Sequence, residues 1–134
     1  MAADITIHTL LAGMAKHDAS DLHLKVGLSP YYRVAGKLRR IDSVPPFENT
    51  EQIEKILESI IPEQRRPAYE ESGDLDFSYQ DESGDRFRIN VFRATGQMHA
   101  AFRRVKSEIP SFEELHLPPV YRKLTERAYE GLVL

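Results

Sequence analysis

The alternation in residues 86–104 constrains the fold more than any other feature of this chain. Phe87, Ile89 and Val91 alternate with Arg86, Arg88 and Asn90, and Met98, Ala100 and Phe102 form a second run of the same period. A period of two belongs to a strand with one buried face. Ala94-Thr95-Gly96-Gln97 lies between the runs, so the strands fold into a hairpin. A two- or four-residue loop centred on Thr95-Gly96 sets Arg88 directly opposite Arg103. On the other face it sets Ile89 opposite Phe102 and Val91 opposite Ala100. Like charges directly opposite each other weaken a sheet. Two facing arginines therefore need an anion or carboxylates set against them.

Other periodicities supply the elements around this hairpin. Ile7, Leu10, Leu11, Met14 and Ala15 share a helical face, with Thr6 or Asp4 as its cap, and Asp18-Ala-Ser20 breaks the helix. Leu22, Leu24 and Val26 form a strand, and Tyr31–Ile41 reads as two short strands folded about Ala35-Gly36-Lys37. Asn49 and Gln52 have capping-box spacing ahead of a stripe of Ile53, Ile56, Leu57, Ile60 and Ile61. Pro62 opens a short helix that Gly73 ends, and Leu75, Phe77 and Tyr79 lead through Asp81–Gly84 into the hairpin. Ser111 and Glu114 form a second capping box, and Pro118-Pro119 opens a last helix through Tyr121, Leu124 and Ala128 that Gly131 stops. The order is helix, strands, two helices, three strands, two helices. Clustered strands of this kind predict an α+β fold with an antiparallel sheet flanked by helices. Leu132-Val133-Leu134 starts a further strand, from which the natural protein is expected to continue past Leu134.

The 134 residues are enough for one domain with its own core. A net charge of −3 argues against general affinity for nucleic acid. With no cysteine the chain has neither disulfides nor a thiolate metal site, in keeping with a reducing cytoplasm. Nothing approaches the about 18 apolar residues of a membrane helix.

Few residues carry chemistry. Asp21 and His23 share a strand face, but no third ligand follows at metal-binding spacing, so a surface pair or salt bridge is the simpler reading. The acidic residues Glu70, Glu71, Asp74, Asp76, Asp81, Glu82 and Asp85 read as solvated faces and turns. Tyr31, Tyr32 and Arg33 could stack on a base, though strand aromatics more often pack. Arg86, Arg93 and Arg104 are expected to pair with the acidic residues at 70–85. Arg88 and Arg103 suit an anion, because arginine holds phosphate or carboxylate bidentately and stays charged. Phe87 and Phe102 point to the core, which leaves no aromatic platform for nucleic acid.

Ala19-Ser-Asp-Leu-His-Leu24, Arg33-Val-Ala-Gly-Lys-Leu-Arg-Arg-Ile41, Arg86-Phe-Arg-Ile-Asn-Val-Phe92, Phe102-Arg103 and Gly131-Leu-Val-Leu134 together resemble one family. It is that of the PilT-type retraction ATPases of type IV pili, the motors of twitching motility within the secretion-ATPase superfamily. The resemblance runs from the first helix to the last residue, while Arg93–Gln97 lacks the asparagine-rich loop of many relatives. The short leader before Ala19 fits this group better than relatives with long N-terminal extensions.

The resemblance implies a PAS-like N-terminal domain over residues 1–110. Residues 111–134 would be a helical linker and the first strand leading into a RecA-like ATPase domain absent from this chain, whose phosphate loop follows the Gly-Leu-Val-Leu motif. It implies a homohexameric ring with ATP between N-terminal and ATPase domains, and Mg²⁺ on the ATPase domain. Arg88 and Arg103 would be arginine fingers to the terminal phosphate, and Arg33 and Arg86 would lie in the nucleotide's vicinity. The fragment alone would hydrolyse nothing and hold no cofactor tightly. Its partners would be the ATPase domain, neighbouring subunits and the pilus platform protein of the inner membrane, with no nucleic acid. Its location would be cytoplasmic, peripheral to that membrane. Two other readings stand beside this one: a stand-alone PAS-like binding or scaffold module, and the N-domain of a related pilus-assembly or type II secretion ATPase.

Overall fold

Two-residue turns set the registers of the sheet. Ala35-Gly36 has φ of 47° and 78°, and Thr95-Gly96 has φ of 51° and 77°. Positive φ at both central positions is the requirement of the type I′ turn, whose twist matches the strands it joins. Ala94 accordingly pairs with Gln97, which places Arg88 opposite Arg103, Ile89 opposite Phe102 and Val91 opposite Ala100, the expected register.

The computed structural model describes residues 5–132. Six strands, β1 (Ala19–Lys25), β2 (Tyr31–Val34), β3 (Lys37–Arg40), β4 (Asp74–Gln80), β5 (Arg86–Ala94) and β6 (Gln97–Val105), form one sheet in the order β3-β2-β1-β6-β5-β4. Each half of the chain contributes an antiparallel three-stranded meander, and the two join at the centre where β1 pairs antiparallel with β6. The helices are α1 (Ile7–Lys16), α2 (Thr50–Leu57), α3 (Arg66–Ser72) after a 3₁₀ turn at Glu63–Arg65, and α4 (Val120–Arg127). The fold is α+β, as the clustering of strands predicts.

One face of the sheet carries the core. Ile7, Leu10, Leu11 and Met14 of α1 and Ile53 and Leu57 of α2 are buried with Leu22, Leu24, Phe87, Ile89, Val91, Ala100 and Phe102 of the strands. α1 packs along β1 and α2 along β6, and α3 lies by β4. Thr6 caps α1, its hydroxyl accepting from the Thr9 N–H, and Asn49 caps α2 by accepting from the Gln52 N–H. Asp4, the other expected cap, lies outside the described residues, as do Val133 and Leu134 of the expected last strand.

Tyr32 is core rather than a base-stacking platform. It is buried, and its hydroxyl donates to the Leu10 carbonyl at 2.6 Å; burial pushes its phenol up to about 12. That contact depends on Gly13, since a Cβ there would lie 2.2 Å from the Tyr32 hydroxyl oxygen. Gly13→Ala is therefore expected to destabilise the chain although alanine favours a helix by about 1 kcal/mol. Overpacking costs about 1–3 kcal/mol, and a urea midpoint at or above wild type would refute this account.

The sequence pattern overruns the structure in two places. The apolar stripe continues to Ile61, but α2 ends at Leu57, where a tight turn brings the Ile60 and Ile61 N–H groups onto the Leu57 carbonyl. Pro62 disfavours helical backbone at Ile61, which ends the run. The second capping box forms reciprocally, with the Ser111 N–H and hydroxyl donating to Glu114 and the Glu114 N–H to the Ser111 hydroxyl. It closes only a turn. His116 has φ of 52°, and Pro118-Pro119 prevents helical continuation. The final pair of helices is thus the single helix α4, which has no buried residue and leaves Val120, Tyr121 and Leu124 exposed. Among the described residues no helix is long and apolar enough to cross a membrane.

Candidate functional site

Opposite the helix-covered face, the register lines up a row of charge across the sheet. Arg33 of β2 faces Asp21 of β1, Asp21 faces Arg103 of β6, Arg103 faces Arg88 of β5, and Arg88 faces Ser78 of β4. Arg86 lies two residues before Arg88 on the same strand, opposite Val105 and Gln80, and so on the same face. The expected candidates Arg33, Arg86, Arg88 and Arg103 therefore share one surface.

The link from Asp21 to the two arginines is what sequence reasoning missed. The Asp21 carboxylate accepts from the Arg103 Nε–H at 3.1 Å and from the Ser20 hydroxyl at 2.7 Å, and the Arg33 Nε lies 3.4 Å away. Part of the repulsion between facing arginines is thus relieved inside the chain, without any ligand. The Asp21–His23 pairing resolves as the salt-bridge reading for Asp21. Burial pushes its carboxyl up, but the Ser20 hydroxyl, Arg103 and Arg33 together hold it below the usual aspartate value. His23, beside it, is pushed down by burial against the raising effect of Asp21, and its Nε2 has no hydrogen-bond partner among the described residues. No group of three or more potential ligands among the described residues could hold a metal ion.

The arginines differ in how far they are committed. Arg33 also donates through Nη1 to the Gly36 carbonyl at 3.3 Å, so its Nε and one terminal nitrogen are engaged within the chain. Arg103 is 72% exposed and bonds only through Nε among the described residues. Arg88 is exposed, and its side chain makes no hydrogen bond or ion pair among the described residues. An arginine presents five N–H donors in a rigid fork, so Arg88 and the Nη groups of Arg103 fit a phosphate or carboxylate by donor chemistry.

The remaining cations divide against expectation. Arg104 does pair with the acidic stretch, its Nε 2.5 Å from the buried carboxylate of Asp85. Arg93 instead stacks over Tyr69, 5.4 Å from the ring centroid. Arg86 has no ion pair among the described residues; Asp85 beside it is paired with Arg104 instead. Two clefts lie away from the row. One of about 220 Å³ lies between α2 and α3 and includes Arg66 and Arg93, and one of about 490 Å³ beside α1 includes His8 and Tyr79. The arginine row itself is open sheet surface, suited to meeting a ligand held from the other side.

No protein-family model matches the chain. It is 39% identical over 131 residues, 98% of its length, to the type IV pilus retraction ATPase PilT of Pseudomonas aeruginosa, and covers 37% of that protein. It is 32% identical over 106 residues, 79% of its length, to a twitching motility protein of Neisseria gonorrhoeae, and covers 28% of it. The chain thus spans well under half the length of these relatives. Its fold superposes on a crystal structure of the pilus retraction motor PilT with bound ADP, with a TM-score of 0.76 and 32% identity, over 92% of this chain and 36% of that one. The Legionella pneumophila ATPase DotB shares the fold, with a TM-score of 0.70 and 18% identity over 89% of this chain and 35% of that one. In sequence and in fold, the chain is similar over nearly its whole length to the N-terminal domain of PilT-type ATPases.

Proposed function

We propose that the chain is the PAS-like N-terminal domain of a hexameric PilT-type ATPase that powers retraction of type IV pili. In this reading Arg88 and Arg103 reach the terminal phosphate of ATP, whose binding loop and Mg²⁺ belong to a RecA-like ATPase domain outside this chain. Residues 111–134 serve as the linker to it. The observation that carries the site is the pairing of Arg88 with Arg103 on exposed sheet. Both have donors to spare, and no other cationic pair of the described residues is so placed. Likeness to PilT at 39% identity supports the motor assignment. The 18% likeness to DotB reaches only the fold. The exposed, unpacked α4 supports the linker.

The partners of this reading are the ATPase domain, neighbouring subunits and the inner-membrane platform of the pilus, at a cytoplasmic location peripheral to the membrane. Nucleic acid is not among them, given the net charge of −3. ATP turnover tests the reading. The full-length protein should hydrolyse ATP in a Mg²⁺-dependent reaction, and the pure 134-residue chain should give none. Hydrolysis by the chain alone, or an inert full-length protein, would refute it.

A further inference from the structure

The arginine row contains a group that the proposed site does not itself require. Asp21 lies on a strand paired on both sides, between β2 and β6, and is only 8% exposed. Its neighbours grip it from both directions. The Ser20 hydroxyl donates to Oδ2, the Arg33 Nε stands 3.4 Å from the same oxygen, and Arg33 is anchored to the Gly36 carbonyl in the β2–β3 turn. Only Oδ1 reaches Arg103, and it reaches Nε alone, at 3.1 Å.

We propose that Asp21 is a positioning residue that fixes the Arg103 guanidinium by its Nε–H and leaves both Nη groups, with Arg88 alongside, as a clasp for phosphate oxygens. This rests on the reading that Arg88 and Arg103 meet a phosphate. Arg33 then acts one step further back, tying Asp21 to the Ala35-Gly36 turn rather than touching nucleotide. The physical case is one of preorganisation. A long exposed arginine loses rotamer freedom when it binds an anion, and a side chain already held in place loses less. Holding it by Nε leaves the terminal fork free, the part that binds phosphate oxygens in pairs. The opposite role, a carboxylate that the anion must displace, fits poorly. Arg103 has unused donors, so an anion can be accepted without breaking the Asp21 contact.

Proton exchange of arginine Nε–H groups in the 134-residue chain tests this, with inorganic tripolyphosphate as the probe. In wild type the Arg103 Nε–H should exchange at least about tenfold more slowly than that of Arg88, which serves as an unpartnered internal reference, and this comparison needs no variant. Millimolar tripolyphosphate should perturb the Arg88 and Arg103 side-chain signals and leave the Arg103 Nε–H protected. Asp21→Asn, which keeps an acceptor but no charge, should reduce that protection, and Asp21→Ala, which leaves no acceptor, should abolish it and weaken tripolyphosphate binding severalfold despite the lost negative charge, while the amide signals of Leu22 and Phe102 report an intact core. Equal exchange at Arg103 and Arg88, or deprotection of Arg103 on adding tripolyphosphate, would overturn the brace. In the full-length ATPase, Asp21→Asn should lower kcat more than it raises KM for ATP. Unchanged turnover there, with the exchange difference intact, would instead sink the ATP-site reading and leave the brace standing.

Discussion

On the proposed function, Arg88→Ala in the full-length protein is expected to lower ATP turnover about a thousandfold, the lower end of what an arginine finger contributes, while the fold is unaffected or slightly firmer. The two halves of this result have separate causes. Turnover falls because, in the proposed site, a guanidinium at the terminal phosphate offsets charge that develops there, and alanine supplies no donor. Stability holds because Arg88 is exposed, without hydrogen bond or ion pair among the described residues, and stands opposite another cation. Removing one of two facing like charges relieves the sheet, and exposed substitutions of this kind change stability by less than about 0.5 kcal/mol. Arg88→Lys should fall between, since it keeps the charge and loses the bidentate fork.

Arg103→Ala should lower turnover as severely but also cost stability, because it leaves the buried Asp21 with Arg33 as its single cationic neighbour within 4 Å among the described residues. Urea unfolding alongside steady-state hydrolysis separates the two variants. Turnover within a few-fold of wild type in both would mean that the row serves the sheet and not a nucleotide.

How much of this was legible in the sequence depends on the distance over which each contact closes. The Arg88–Arg103 register was legible because a local turn sets it: Gly96 supplies positive φ, Thr95 follows, and every pair above is fixed by counting outward. The helical faces of α1 and α2 were legible for the same reason. Asp21 as the partner of Arg103 was not, since the two are 82 residues apart and meet only because β1 inserts beside β6. No periodicity encodes which strand takes the central place. The second capping box makes the converse point, since the box forms and the helix expected behind it does not. Ser111 and Glu114 do bond as their spacing demands, yet nothing buries the following residues, and a cap without packing yields only a turn. Asp85 looked like one more solvated turn carboxylate among the acidic residues at 70–85. Its burial arises because Arg104, 19 residues on, folds back over it.

That buried pair carries the largest stability effect expected of a single substitution. The Asp85 and Arg104 side chains are 6% and 11% exposed, and the carboxylate accepts from both the Arg104 Nε–H and, at 2.9 Å, the Ser107 N–H. Asp85→Ala strands a nearly buried guanidinium and orphans a backbone donor. Removing one partner of a buried ion pair costs about 3–5 kcal/mol. The lower end is expected here, because Asp18, 3.8 Å from Arg104, remains as a distant and largely exposed counter-charge. Acid supplies the independent check. Burial pushes the Asp85 carboxyl up, but the Ser107 N–H and Arg104 outweigh it and hold the folded-state value below the ordinary one. A carboxyl depressed on folding stabilises the native state above its unfolded value of about 3.9, and that contribution is lost as pH falls through the lower folded value. The gap in urea unfolding free energy between wild type and Asp85→Ala should therefore be full at neutral pH and narrow steadily below about pH 4. Asp85→Asn, which keeps an acceptor for Ser107 but no charge, should show a smaller gap. A gap at neutral pH below about 1 kcal/mol would place Arg104 among ordinary surface pairs and remove the Asp85–Arg104 contact from what holds β6 to the β4–β5 turn.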